Sequence, residues 1–461
     1  MQPTPIKLLA SALGYTTAGE ELITHVSTDS RDITPGCVFV CVKGARFDGH
    51  DFAPEAVRQG ASYVVASERV PLTQDKVFYV DNTLDALIKL AGAYRSQFSP
   101  ITVGVTGSVG KTTTKEFIAA VASRRYKTLK NEGNQNTEIG VPNTIWKLDQ
   151  SHECAVIEMG QDKMDDILKL TMAVRPDIAV VTSVGTAHIE FLGSRENILR
   201  GKLQIADSMG PHAPLILCAD NDLLGGITNG YNEHLRDKRI VRFGIEAERC
   251  DVRAVDIREG ERETRFTVRY PGGEVEATIP TIGRHTVLDA LAAFAVGLEM
   301  KIGPKEIALG LYDYAPAGMR QHIVPCGAIT LVEDCYNANP DSMKAALSTF
   351  GSMKVRGRRV AVLGDMLELG ETAKDAHYEV GRFAAAQGLD LLFCYGRWCL
   401  ELCRGAKGAG MGEAYYFPTQ EEMYQSLRQS LQEGDTVWLK ASLGMKLGES
   451  VSRLREEYQG R

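Results

Sequence analysis

An α/β protein of three domains is the fold class this sequence predicts, on three observations. An apolar strand, Ile101 to Val105, runs through a Gly-rich turn directly into a helix. Strand and helix signals alternate through two separate stretches, which is the pattern of parallel sheets covered by helices. The chain has 461 residues, and a prior of about 150 residues per domain gives three.

The first domain is expected over 1–99. Cys37 to Val42 and Ala61 to Ala66 are short apolar runs of strand length, with a helix from Ala53 to Gln59 between them. A helix from Thr83 to Phe98 leads to the boundary at Ser99-Pro100. The second domain is expected over 100–316. Its strands are Ile101–Val105, Cys154–Glu158, Asp177–Thr182 and Leu215–Cys218, with helices from Lys111 and from Ser194. From Val241 to Ile279 apolar and charged residues alternate, which predicts an antiparallel excursion, and a helix from Thr286 to Met300 follows. The third domain is expected over 317–461, with strands Ile329–Glu333, Arg359–Leu363, Leu389–Cys394 and Thr436–Lys440 separated by helices. No internal repeat or low-complexity segment interrupts this plan.

Composition excludes several classes. Hydrophobic residues make up 44% and charged residues 24%, as in an ordinary globular protein. A net charge of -7 argues against general affinity for nucleic acid. No apolar run has the length of a membrane span, and Met1 to Tyr15 carries no secretory apolar region. The ten cysteines show no paired spacing, and Cys394, Cys399 and Cys403 sit among apolar neighbours. Reduced, buried cysteines and a cytoplasmic location are the expectation.

The turn after the first strand of the second domain reads Thr106-Gly107-Ser108-Val109-Gly110-Lys111-Thr112-Thr113. Backbone N–H groups of such a turn and of the helix N-terminus can cradle phosphates. Lys111 can reach the terminal phosphates of a nucleotide triphosphate, and the Thr112 hydroxyl can take a magnesium ion. The general pattern asks for Gly five residues before Gly110, and that place is Val105, so this is a variant loop.

Three residues beyond the loop stand out. Glu158 ends an apolar strand, where it can hold magnesium or simply face solvent. His188 follows the strand Asp177–Thr182 after a short turn, on the sheet edge that carries the loop; a structural histidine is the alternative. Lys202 shares one helix face with Ile198, Ile205 and Met209, behind a cap at Ser194. A buried ammonium is costly. Either its head snorkels to water or to a carboxylate, or burial lowers its pKa and the neutral amine can add carbon dioxide to form a carbamate.

The same motifs, spread over the whole chain, resemble the Mur ligases, and within them the MurF type. Thr28-Asp-Ser-Arg31 and Asp48-Gly-His50 are similar to the family's N-terminal UDP-sugar domain. Thr106 to Lys115 resembles its phosphate loop, and Asn134-Gln-Asn-Thr-Glu-Ile-Gly140 a substrate-side loop. Glu158-Met-Gly160, Gly185-Thr-Ala-His188 and Lys202 resemble its magnesium region. Asp334-Cys-Tyr-Asn-Ala-Asn-Pro-Asp-Ser-Met343 is the most type-specific segment.

The resemblance implies an ATP- and Mg2+-dependent ligase of peptidoglycan precursor synthesis. It would join D-alanyl-D-alanine to UDP-N-acetylmuramoyl-tripeptide through an acyl phosphate, and a cytoplasmic monomer is expected. It further implies that Thr112 and Glu158 hold one magnesium, and His188 a second, with Lys202 if carbamylated. Arg320 would reach the transferring phosphoryl, and Asp334 the ribose. Ser30 and Arg31 would serve the UDP end, and Asn134, Asn136 and Asn337 the substrate. Three places depart from the family pattern. Two usual Asn of the adenine region are Thr286 and Asp289, the substrate loop reads Asn136-Thr137-Glu138, and a C-terminal Lys-Gly-Ser-Arg reads Lys440-Ala-Ser-Leu443. Lys440 and Ser442 are left as candidates for the dipeptide carboxylate. Two alternatives stand: the related ligase that adds the third amino acid, against which Asn337-Ala-Asn-Pro340 argues, and a non-catalytic nucleotide-binding relative.

Overall fold

Nine strands form the central sheet of the protein, seen in a computed structural model that describes residues 1–459. Their order across the sheet is Gly273–Ile279, Thr264–Tyr270, Val252–Glu259, Arg239–Gly244, Pro214–Cys218, Ile178–Val181, Ile101–Thr106, Cys154–Glu158 and Thr128–Lys130. The phosphate-loop strand lies between the strands that end in Glu158 and Val181, all three parallel. Their carboxyl ends therefore open on one side, where ligands of such sheets bind. The strands in the middle of the sheet are buried on both faces, which is why they read as unbroken apolar runs.

The antiparallel excursion begins later than its charge alternation suggests. Arg239–Gly244 is still parallel to Pro214–Cys218, and Gly244 is parallel to Arg253. Only the strands from Val252 onward run antiparallel to their successors. Alternation reports a half-exposed strand but not its direction. Here the turn after Gly244 is held by Asp220, whose carboxylate accepts from the N–H groups of Ile245 and Ala247, each at 2.8 Å.

The N-terminal domain carries a four-stranded parallel sheet of Val26–Ser27, Val38–Val40, Tyr63–Ala66 and Val77–Tyr79. Its helix Thr83–Arg95 is capped by Asn82 and packs on the central-domain helix Asp166–Val174. The Tyr94 hydroxyl donates to Leu148 O at 2.6 Å, and Arg95 donates to Thr102 Oγ1 at 2.8 Å. One continuous apolar core thus joins the first two domains.

The C-terminal domain is a six-stranded sheet in the order His322–Cys326, Ile329–Asp334, Thr436–Lys440, Arg359–Gly364, Leu391–Tyr395, Ala414–Phe417. Only the first edge strand is antiparallel. The two edge strands, His322–Cys326 and Ala414–Phe417, have no expectation above; both are short and half-exposed, which erases the apolar run that marks an inner strand. A separate core covers each face of this sheet. All ten cysteines are free, and Cys394, Cys399 and Cys403 are buried. No helix among the described residues is long and apolar enough to cross a membrane.

Candidate functional site

A cavity of about 450 Å³ lies where the carboxyl ends of the central and C-terminal sheets face each other. Most of the residues singled out by the sequence line it: Ser108 to Thr113, Asn134, Asn136, Glu158, His188, Asp289, Arg320, Asp334, Asn337 and Lys440. Thr106, Gly107, Lys202, Ser442, Ser30 and Arg31 do not line it.

The loop from Thr106 is pinned on both sides. The Thr106 hydroxyl donates to Met159 O at 2.9 Å, and the Ser108 hydroxyl accepts from Gly185 N at 2.9 Å. Val109 N donates to Ser183 Oγ at 2.9 Å, so the loop is latched to the end of the neighbouring strand. Gly110 has φ 87°, and a Cβ there would lie 2.3 Å from Asp289 Oδ1, so both conformation and space require glycine. The helix Lys111–Ser123 starts at that point. Lys111 Nζ donates to Gly107 O at 2.8 Å, bridging its own loop. Burial lowers its pKa, opposed by the nearby Glu158 carboxylate and reinforced by Arg320.

Glu158 is almost completely buried, which excludes the solvated strand-end reading. Its Oε2 accepts from the Thr112 hydroxyl at 2.7 Å and its Oε1 from Asn136 Nδ2 at 2.8 Å. Asn131 clamps the Glu158 backbone, donating to its carbonyl at 2.9 Å and accepting from its N–H at 2.9 Å. The pair of hydroxyl and carboxylate oxygens is a hard donor set of the kind magnesium takes.

Lys202 corrects one of the two sequence readings. Lys202 as a whole is 2% exposed and makes no ion pair with a carboxylate among the described residues, so its head does not snorkel. Lys202 Nζ donates instead to Gln161 Oε1 at 3.0 Å. Desolvation pushes its pKa well below that of a free lysine, the Lys111 charge adds to this, and Asp162 opposes it. Ile198 and Ile205 are fully buried beside it, and Ser194 caps the helix by accepting from Asn197 N at 3.2 Å.

His188 sits in a left-handed turn at φ 60°. Its Nδ1 lies 2.8 Å from the Glu368 carboxylate and 3.5 Å from Asp162. The His188 contact holds the Glu368 carboxyl below its ordinary range. Glu368 belongs to the C-terminal domain, so this contact crosses the cleft. Gln321 Nε2 donating to Ile282 O at 2.7 Å crosses it as well, as does Thr186 N donating to Asp341 Oδ2 at 3.4 Å.

On the nucleotide side, Asp289 is buried and accepts from the Thr114 hydroxyl at 2.9 Å. Burial pushes its carboxyl up to about 8. At neutral pH it is mainly a neutral acid, with one O–H donor and one carbonyl acceptor, which is the hydrogen-bonding character of a carboxamide. The Thr286 hydroxyl is used locally, donating to Gly283 O at 2.7 Å. The Arg320 guanidinium stacks on the Tyr336 ring at 3.9 Å, and Tyr314, stacked on Phe117, forms another aromatic wall.

Asp334 and Lys440 end neighbouring strands in register, and Lys440 Nζ donates to Asp334 Oδ2 at 2.8 Å and to Asn337 O at 3.1 Å. The Ser442 hydroxyl donates to Ala338 O at 3.3 Å and accepts from Leu367 N at 3.0 Å, tying two loops together away from the cavity. Arg31 grips the Asp29 carboxylate at 2.7 and 2.9 Å on the N-terminal domain, and holds its pKa down to about 2.

Sequence reasoning missed Asn131, Gln161, Asp162, Glu368 and Tyr336. Gln161 and Asp162 directly follow Glu158-Met-Gly160, so a search outward from that motif could have found them. Glu368 carries no local signal, since only the docking of two domains brings it to His188.

Known proteins share this arrangement. The Mur ligase family's catalytic domain matches residues 22–95, its middle domain residues 105–297, and its glutamate ligase domain residues 319–443. The UDP-N-acetylmuramoyl-tripeptide–D-alanyl-D-alanine ligase of Bacillus subtilis is 36% identical over 95% of this chain and 94% of its own. That of Escherichia coli is 34% identical over 94% and 93%. The crystal structure of MurF from Acinetobacter baumannii superposes with a TM-score of 0.90 at 28% identity, covering 99% of both chains. MurF from Thermotoga maritima, in complex with ADP, gives a TM-score of 0.83 at 29% identity over 95% of this chain and 98% of its own. A diaminopimelate-adding ligase shares the fold at a TM-score of 0.59 and 15% identity. With the phosphate loop and the buried acid meeting in one cleft, the lysine helix packed behind Gln161 of its wall, and relatives matching end to end, the chain belongs to the Mur ligase family, among its UDP-N-acetylmuramoyl-tripeptide–D-alanyl-D-alanine ligases.

Proposed function

We propose that the cleft between the central and C-terminal sheets is where this chain joins D-alanyl-D-alanine to UDP-N-acetylmuramoyl-tripeptide at the expense of ATP. The observation that carries the reading is the convergence of Lys111, Thr112, Glu158 and Arg320 on one cavity at the carboxyl end of a parallel sheet. A carboxylate is a poor acylating agent, and phosphorylation supplies its leaving group. The tripeptide carboxylate attacks the γ-phosphoryl of ATP, the bond from that phosphorus to the β–γ bridging oxygen breaks, and ADP leaves with an acyl phosphate formed. The amine of the dipeptide then attacks that carbonyl, and phosphate leaves.

The first step brings two anions together, so its barrier is electrostatic. In this reading Lys111 leaves the Gly107 carbonyl for the phosphates. Arg320, held flat by Tyr336, faces them from the other domain. Asp289, as a neutral acid, takes the adenine side in place of an asparagine, and Asp334 takes the ribose. Asn134 and Asn136 serve the tripeptide end, and Ser30 and Arg31 the UDP end. Lys440 has spent two of its three N–H groups on Asp334 and Asn337, and the third is free for the dipeptide carboxylate. Asn337 shapes that end, and Ser442 supports it only from behind, through its bonds to Ala338 and Leu367.

Two divalent-ion positions belong to the same reading. The Thr112 and Glu158 oxygens suit magnesium as they stand. His188 suits a second ion together with Lys202 only if the lysine becomes an anion, and the unpartnered amide N–H of Gln161 beside it fits such an anion. Bound magnesium would supply charge neutralisation on the phosphoryl oxygens.

The domain boundaries follow at 99/100 and 316/317. A monomer is the form this reading takes, and UDP-sugar and ATP substrates support a cytoplasmic location. The test compares amine acceptors in the presence of ATP, magnesium and UDP-N-acetylmuramoyl-tripeptide. Phosphate release with D-alanyl-D-alanine, and none with lysine or diaminopimelate, is the expected result. Turnover of UDP-N-acetylmuramoyl-dipeptide with a single amino acid, in place of the tripeptide with D-alanyl-D-alanine, would transfer the reading to the ligase of the third residue, and silence with every pair to a non-catalytic relative.

A further inference from the structure

Gln161 is the residue in the cleft with an unused function. It is 2% exposed and lines the cavity. Its Oε1 accepts from Lys202 Nζ, while its Nε2, equally buried, has no partner among the described residues. An amide N–H left unmatched in the interior costs stability, so a buried amide that satisfies only half of its edge needs an explanation. The helix that carries Lys202 makes room for it. A Cβ on Gly201 would lie 1.8 Å from Gln161 Nε2, so glycine at 201 is what lets the carboxamide lie against this helix. Lys202 in turn makes its one hydrogen bond to Gln161, although an ammonium carries three donors.

We propose that Gln161, seated against Gly201, is a positioning residue that recognises the carbamate of Lys202 by both halves of its amide. The inference rests on the carbamate reading given above and deepens it. In the modification, the Nζ lone pair of the neutral amine attacks the carbon of carbon dioxide. An N–C bond forms, one C=O π pair moves onto oxygen, and a nitrogen proton passes to water. The product keeps one N–H and gains two carboxylate oxygens, one of them on the same edge as that N–H. Its N–H donates to Gln161 Oε1, as the amine does now. The oxygen beside it accepts from Gln161 Nε2, which ends the deficit. A free amine offers only a donor to Gln161, and a carbamate offers the matching donor and acceptor. The pair Gln161–Gly201 thereby favours the modified over the unmodified lysine, and fixes which way its carboxylate faces.

The test reads the carbamate itself. The full-length protein is equilibrated with 13C-bicarbonate, with and without magnesium, and the carbamate carbon is followed by 13C NMR as bicarbonate is raised. The expected result is one carbamate resonance in the unmodified sequence that is absent from Lys202→Ala. Its half-saturating bicarbonate should rise about tenfold or more in Gln161→Met, which keeps the shape but neither polar atom. Gln161→Glu keeps acceptors, loses the donor and adds a negative charge, and should lose the resonance as well; it stands in if the methionine variant does not fold. A resonance that titrates identically in the Gln161 variants overturns the role of Gln161 and leaves the carbamate standing. No Lys202-dependent resonance in the unmodified sequence overturns both.

Discussion

Lys111 and Lys202 are both desolvated, yet the surroundings ask different things of them. Lys111 has Glu158 nearby, which opposes the drop that burial causes in its pKa, and a carbonyl of its own loop to hold. One transition-state contact of this kind is worth about two to three orders of magnitude in rate. Lys111→Ala is therefore expected to lose at least that much turnover in a steady-state assay, and near-normal turnover would remove the phosphate-loop role. Lys202 has a neutral amide for a partner and the Lys111 charge nearby, which together favour a neutral amine. Lys202→Ala is expected to be inactive and to recover part of its rate when a short carboxylic acid is added. Full activity without the acid would leave the lysine a packing role. Asp289 makes a third prediction. Its folded-state pKa of about 8 lies above the ordinary carboxylate value. Between those two values the folded protein holds a proton that the unfolded chain has lost, so this residue's contribution falls as pH rises. Asp289→Asn lacks that loss. Its stability relative to the unmodified sequence, from denaturant unfolding without ligands, should improve by up to about 1.4 kcal/mol per pH unit between pH 5 and 8. A gap that does not change with pH would mean that Asp289 is charged in the fold.

The segment after the strand Arg359–Gly364 shows what a single element adds. It carries Glu368 across the cleft to His188, and Gly370 beside Glu190. The Glu368 carboxylate is half exposed. A pair of that kind contributes roughly 0–1 kcal/mol, so Glu368→Gln should cost no more than about fivefold in kcat/KM and leave nucleotide binding to the central domain unchanged. A loss of a hundredfold would place Glu368 on the reacting atoms. The same element marks where the sequence stops being readable. Strand ends, the loop at Thr106 to Lys111 and the helix face of Lys202 were legible, because each is set by local turn chemistry or by the period of its own apolar residues. The place of Glu368 depends on how one domain docks on another, and no local period encodes that. The partner of Lys202 was hidden for a related reason. Helical spacing shows that a lysine faces inward but not that an amide from the loop after the strand Cys154–Glu158 waits there. The edge strands His322–Cys326 and Ala414–Phe417 were hidden because half-exposed edges carry mixed residues.

At the scale of the molecule, the first two domains share one core, while the third is built on two others, one of which takes in Ile282 of the central domain. Arg320, Asp334 and Lys440 line the cleft from the third domain, and Lys111 and Glu158 from the second. A reaction that passes through an acyl phosphate has to exclude water until the amine arrives, and a cleft closed by two domains can do so. The most direct test of this account is phosphate release with ATP, magnesium and UDP-N-acetylmuramoyl-tripeptide, measured with and without D-alanyl-D-alanine. The account predicts release that depends on the dipeptide, with a product heavier than the tripeptide substrate by the dipeptide less one water. A protein that binds ATP but releases no phosphate with that pair, or releases it equally without the dipeptide, would contradict it.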